Sequence, residues 1–81
     1  MARYFFDSGD RDELVKDEVG IECDGIEGAC REGIEGLRDL AREFQEGVQS
    51  QQLSIHVRDE AGERLLSLSL TLQLKLGRQT G

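Results

Sequence analysis

Proline and tryptophan are absent from this chain, and histidine occurs once. No stretch approaches the ~18 consecutive apolar residues of a membrane-crossing helix. The opening Met1-Ala2-Arg3-Tyr4-Phe5-Phe6-Asp7 lacks the apolar run and small-residue cleavage site of a secretory leader, so a cytoplasmic location is the expectation. The only two cysteines, Cys23 and Cys30, are too few for a disulfide-stapled secreted domain. One is expected ahead of a helix and the other two turns inside it, ~10 Å along the axis, so both are read as reduced thiols. Basic residues are scarce as well. Ten Lys and Arg stand against seventeen Asp and Glu, a formal charge of -7 that repels phosphate backbones and anionic lipid. Nucleic acid and membrane surfaces are therefore not expected partners.

The common signatures of chemistry are missing too. There is no Gly-rich strand-to-helix phosphate loop, no Gly-x-Ser-x-Gly and no paired-Cys zinc spacing. The acidic run Asp7, Asp10, Asp12, Glu13 has Leu14 where a calcium ligand would fall and Gly9 ahead of the acids, and it reads as a solvated turn. His56 has no nameable nucleophile or orienting partner, and it reads as a surface histidine. Cys30 falls on an apolar stripe and is expected to be inert. Cys23, just before the helix start, is the more reactive thiol candidate. No metal, no cofactor and no enzymatic activity is expected.

What is present is a strong pattern. With 37% hydrophobic and 33% charged residues the chain reads as globular, and its 81 residues leave room for one core. A single domain over residues 1–76 with a flexible tail over 77–81 is expected. Residues 2–7 are β-prone, and Ser8-Gly9-Asp10 predicts a reversal. A weaker strand around Glu13 to Lys16 follows, with Val15, Val19 and Ile21 on one face, Leu14 on the other and a bend at Gly20. Asp24 and Glu27 have the spacing of a capping box and predict helix onset. Ile26, Cys30, Leu37, Leu40, Ala41, Phe44 and Val48 then form an apolar stripe opposite Glu27, Arg31, Glu35, Arg38 and Arg42, with Gly47 as the stop. Gly33 projects onto that stripe, where a missing side chain lets helix and sheet approach, while Gly28 and Gly36 project toward solvent or the edge. Leu53, Ile55 and Val57 alternate with polar residues, Asp59 to Glu63 makes a loop, and Leu66, Leu68, Leu70, Leu72, Leu74 and Leu76 alternate again.

The fold class is thus α+β, a four-stranded, mainly antiparallel sheet in the order β-β-α-β-β with one long amphipathic helix on one face. A right-handed crossover gives the spatial order 2-1-3-4, and 1-2-3-4 is the alternative. The acidity is uneven: residues 7–46 carry fourteen acids and five bases, and residues 47–81 carry three and four. The sheet face away from the helix is mostly Ser, Thr, Gln, Arg and His, and parity adds Phe5, Leu14 and Leu65 to it. Phe5, Leu14, His56, Arg58 and Leu65 are the candidate interaction surface, and the last strand is expected to leave unpaired backbone at an edge. The function these features favour is a non-enzymatic protein-interaction or regulatory module that self-associates through its sheet. Two alternatives stand beside it. One is an accessory or antitoxin-like acidic protein masking a basic partner. The other is a weak single-stranded nucleic-acid binder using Phe5, His56 and Arg58 as a stacking platform.

Three segments carry a family resemblance: Ala2-Arg3-Tyr4-Phe5-Phe6-Asp7, Asp17-Glu18-Val19-Gly20-Ile21-Glu22 before the helix, and Val57-Arg58-Asp59-Glu60-Ala61-Gly62 in the second hairpin. Over about residues 2–72 the chain resembles a family of small bacterial domains of unknown function. Cys23 and the glycine pairs stand where members tend to have Pro and an Ala-rich helix. The resemblance implies a compact β-β-α-β-β protein and carries no activity with it.

Overall fold

The computed structural model describes residues 1–10, 13–43, 50–75 and 77. Its elements in chain order are β1 (Ala2–Asp10), β2 (Leu14–Val15), β3 (Ile21–Cys23), α1 (Gly25–Ala41), β4 (Ser50–Arg58) and β5 (Arg64–Gln73). All strand pairs are antiparallel, in the order β2-β1-β4-β5, with β3 also pairing β1. This is the 2-1-3-4 order, with the second strand divided into β2 and β3.

Opposite residues of an antiparallel pair point to one side of the sheet. The register therefore stacks Phe6, Val57 and Leu66 in one row, and Ser8, Ile55 and Leu68 in the next. These rows face α1. Tyr4, Cys23, Ala29, Leu37, Leu53, Ile55 and Val57 form the buried core, with Phe6, Leu40, Ala41 and the β5 leucines packed around it. The helix and the leucine ladder thus share one apolar layer, which is where most of the favourable burial energy of so small a domain must come from.

Several local expectations are corrected. Ser8, Gly9 and Asp10 do not turn. They stay in β1 because β4 offers them ladder partners in Ile55, Ser54 and Leu53. The reversal comes next, where the Asp10 N–H donates to the Glu13 carbonyl at 3.1 Å and the Glu13 N–H to Asp10 Oδ1 at 3.0 Å. The capping box does not form, because Gly25 enters α1 at φ +74 and holds Asp24 outside the first turn, without a side-chain cap bond. Burial in that first turn belongs to Gly28 and Ala29, so Ile26 stays 46% exposed. Gly28 and Gly36 do not project into solvent. A Cβ on Gly28 would lie 3.5 Å from the Cys23 Cβ, and one on Gly36 would lie 2.8 Å from Ile55 Cδ1. α1 is shorter than the stripe implied, and Phe44, Gly47, Val48 and Leu76 lie outside the described residues. β5 stops at Gln73 because its ladder partner Ser50 begins β4, which leaves Leu74 exposed.

Gly20 is the bend the pattern predicted, at φ +77. A Cβ there would stand 2.9 Å from Arg3 Cγ, Phe5 Cε2 and the Tyr4 carbonyl oxygen. Gly20→Ala is expected to cost about 2 kcal/mol, from the left-handed backbone together with the contact to a fixed carbonyl. The check is the urea midpoint of the variant against the parent, and an unchanged midpoint would refute the assignment.

Candidate functional site

β1 has two neighbours on its outer side, β3 along Ala2–Tyr4 and β2 along Ser8–Gly9, and neither reaches Phe5, Phe6 or Asp7. The segment between them closes this gap with a side chain. Asp17 Oδ2 accepts the Phe6 N–H at 3.0 Å, as a neighbouring strand's carbonyl would. Asp17 Oδ1 accepts the N–H groups of Val19 and Gly20 at 3.0 and 3.1 Å, folding the segment back toward β3. The Asp17 N–H donates to Asp7 Oδ1 at 2.9 Å.

Arg58 completes the arrangement from β4. Its Nε donates to Asp7 Oδ2 at 3.0 Å, its Nη2 to the Asp17 carbonyl at 2.6 Å, and its guanidinium lies 4.7 Å from the centre of the Phe5 ring. The Asp7 and Arg58 side chains are 10% and 18% exposed, so this ion pair is shielded from water and salt. Burial pushes the Asp7 carboxyl up, but the Arg58 bond, the Asp17 N–H and the Arg58 charge outweigh it and hold the group below its ordinary 3.8. Asp17 is likewise lowered. There burial is outweighed by the N–H groups of Phe6, Gly20 and Val19 and by the Arg58 charge. Arg3 ties the same segment from below, donating to the carbonyls of Val19 at 3.0 Å and Gly20 at 3.3 Å.

The five candidate surface residues do not form one patch. Phe5 and Arg58 are cross-strand neighbours on the face away from α1, but Arg58 is already engaged by Asp7, Asp17 and the Phe5 ring. His56 lies on that face beside them, with Nδ1 2.8 Å from Ser67 Oγ. Leu14 sits opposite Gly9 at the β2 edge, and Leu65 falls where the ladder skips from Leu66 to Arg64 at a bulge. Three strand spacings, ~14 Å, separate β2 from β5. Cys23 does not have the lowered pKa its position implied, since it is buried, and burial first and Glu32 second push its thiol up. Asp7 leaves the acidic run for the Arg58 pair, and Asp12 lies outside the described residues. Among the described residues no three His, Cys, Asp or Glu side chains gather to hold a metal ion.

The other border of the sheet is different. β5 pairs with β4 along its length, and nothing among the described residues pairs with its far side. From Leu65 to Leu74 the chain carries no charged residue. Leu66, Leu68, Leu70 and Leu72 remain half-buried at this border. A shallow hollow of about 310 Å³ opens there, lined by Ala41, Leu72, Gln73 and Leu74.

Sheet, helix and borders define a small two-layer α+β domain whose distinctive surfaces are sheet edges and an open polar face. The chain belongs to the family described as a domain of unknown function (DUF6894), whose model matches residues 3–71. No curated protein and no solved structure matches it significantly. Among the described residues no helix is long and apolar enough to cross a membrane.

Proposed function

We propose that this domain is a non-enzymatic protein-interaction module that takes up a second copy of itself along the outer edge of β5. The observation that carries the reading is the contrast between the two borders of one sheet. The border beyond β1 is broken into β2 and β3, of two and three residues, with the Asp17 carboxylate filling the gap between them against β1, whereas the β5 border runs unbroken for ten residues with no neighbour among the described residues. An edge strand that long ordinarily carries charge, proline or a bulge along its length to discourage pairing; here Arg64 and the bulge at Leu65 are confined to the start of β5, and the rest is uncharged to Leu74.

A chain of charge -7 repels its own kind at distance, so the choice of surface matters. The acids concentrate in residues 7–46, and β5 itself lies outside that segment and carries no acid, so its backbone edge can meet a second copy without facing a carboxylate of its own strand. Backbone hydrogen bonds along the new strand pair supply affinity, and alternate leucines supply register. Light scattering across concentrations from micromolar to several hundred micromolar tests the reading. The expected mass is twice the 9.1 kDa of the chain at the upper end. A mass that stays at one chain throughout removes the proposal.

A further inference from the structure

Resting on that self-association, we infer that the two copies join about a two-fold axis through Ser69, β5 antiparallel to β5, as one continuous ten-stranded sheet. The register follows from the side-chain period. A slip of one residue sets every leucine opposite the partner's polar row, so only in-phase alignments keep one apolar face. Centring on Ser69 sets Leu66 opposite the partner's Leu72 and Leu68 opposite the partner's Leu70, all inside β5. Centring on Leu68 instead places Leu72 against Arg64, and centring on Leu70 or Thr71 sets Leu66 or Leu68 against Leu74, past the end of β5 at Gln73, so only Ser69 pairs the four leucines with one another. The Ser69 register also brings Lys75 level with the partner's Glu63, once at each end, two matched opposites just outside the strand pair, with Arg64 level with the partner's Leu74.

The helices fit this arrangement. Gly33 sits over Leu68 of β5 and Gly36 over Ile55 of β4, so α1 runs above the boundary between these strands. Adding a strand at ~4.8 Å spacing places the second helix ~10 Å from the first, within the usual range for packed helices. The flank of α1 toward the β5 border is marked by Ala41, which lines the hollow with Leu72 and Leu74. At 100° per residue, Ile34 and Cys30 return to that flank. Ile34 is 41% exposed, an apolar side chain that a neighbouring helix would cover.

Disulfide trapping tests the register, using full-length protein with Cys30→Ser as background. Only the residue on the axis meets its own copy. Ser69→Cys is expected to form a disulfide-linked dimer under mild oxidation, at least tenfold faster than Ser54→Cys, which lies on the same face one strand further in. Ser67→Cys and Thr71→Cys are each expected to stay unlinked alone and to cross-link when mixed. Dimer mass with self-linking of Ser67→Cys or Thr71→Cys, or with no preference for Ser69→Cys over Ser54→Cys, overturns the register and leaves the self-association standing. Monomer mass for the unmodified chain overturns both. As a second reading, Ser69→Lys sets two ammonium groups face to face on the axis. It is expected to weaken association at least tenfold with an unchanged circular-dichroism spectrum, and full association would count against the axis.

Discussion

Replacing Arg58 by Ala is expected to lower stability by about 3 kcal/mol at neutral pH, because it strands a shielded carboxylate without its counter-charge. Asp7 is 7% exposed, and Arg58 supplies both a hydrogen bond and the nearest positive charge. The same guanidinium holds the Asp17 carbonyl, so the gap in the β1 border loses its tie to β4 together with the ion pair. The loss should depend on pH in a particular sense. Both carboxyls are held below their ordinary 3.8 in the fold. Their contribution is therefore complete above the unfolded value and is lost as pH falls through the folded values. In the variant, burial acts on Asp7 without its main opponent, so its carboxyl takes a proton more readily than in the parent. The difference in stability between parent and Arg58→Ala is thus expected to narrow from pH 7 to pH 3. Urea unfolding at both values checks this, and a gap of equal size at the two would show that Arg58 acts through packing alone.

The second large effect concerns the contact between helix and sheet. A Cβ built on Gly33 falls on Leu68 Cδ1, with the Phe6 ring 4.0 Å away. Gly33→Val is expected to cost about 3 kcal/mol, because a branched side chain needs room that only separation of α1 from the sheet supplies. Gly33→Ala is the informative companion. The helix gains ~1 kcal/mol from replacing an interior glycine, and the end of the Leu68 side chain can swing aside, so a net change within ~1 kcal/mol is expected. Thermal unfolding of the pair separates the two cases. If Val is tolerated as well as Ala, the interpretation of Gly33 as a close-approach point is wrong.

Gly33 was legible in the sequence because it falls on a stripe of 3.6 period, and the Leu66 to Leu72 ladder because it alternates at period two. Connection rules narrowed the strand order to 2-1-3-4 or 1-2-3-4, and only the pairing of β1 with β4 decides between them. The contacts of Gly28 and Gly36 are not legible in the sequence, for a shared reason. A projection of the helix knows nothing of Cys23 folding back on the first turn, or of Ile55 reaching up from β4. The capping box failed because Gly25 takes a left-handed backbone that spacing alone does not reveal. Least visible was the Asp7–Arg58–Asp17 arrangement. Asp7 and Arg58 are 51 positions apart and both sit in a polar alternation that resembles an ordinary wet face. The one local hint was Asp17 followed by Val19 and Gly20, the pattern of a carboxylate that folds its own backbone, and it became meaningful only when β1 supplied the Phe6 N–H.

The carboxylate plug on β1 has a consequence for how far such a molecule can be propagated. A sheet with two receptive rims is a monomer in the polymer chemist's sense, able to lengthen without limit into a fibril. Here the rim opposite β5 is broken into strands of two and three residues on either side of the Asp17 bridge, too short to template a long pairing, which leaves a building block of functionality one, whose growth by strand addition ends with the first joining.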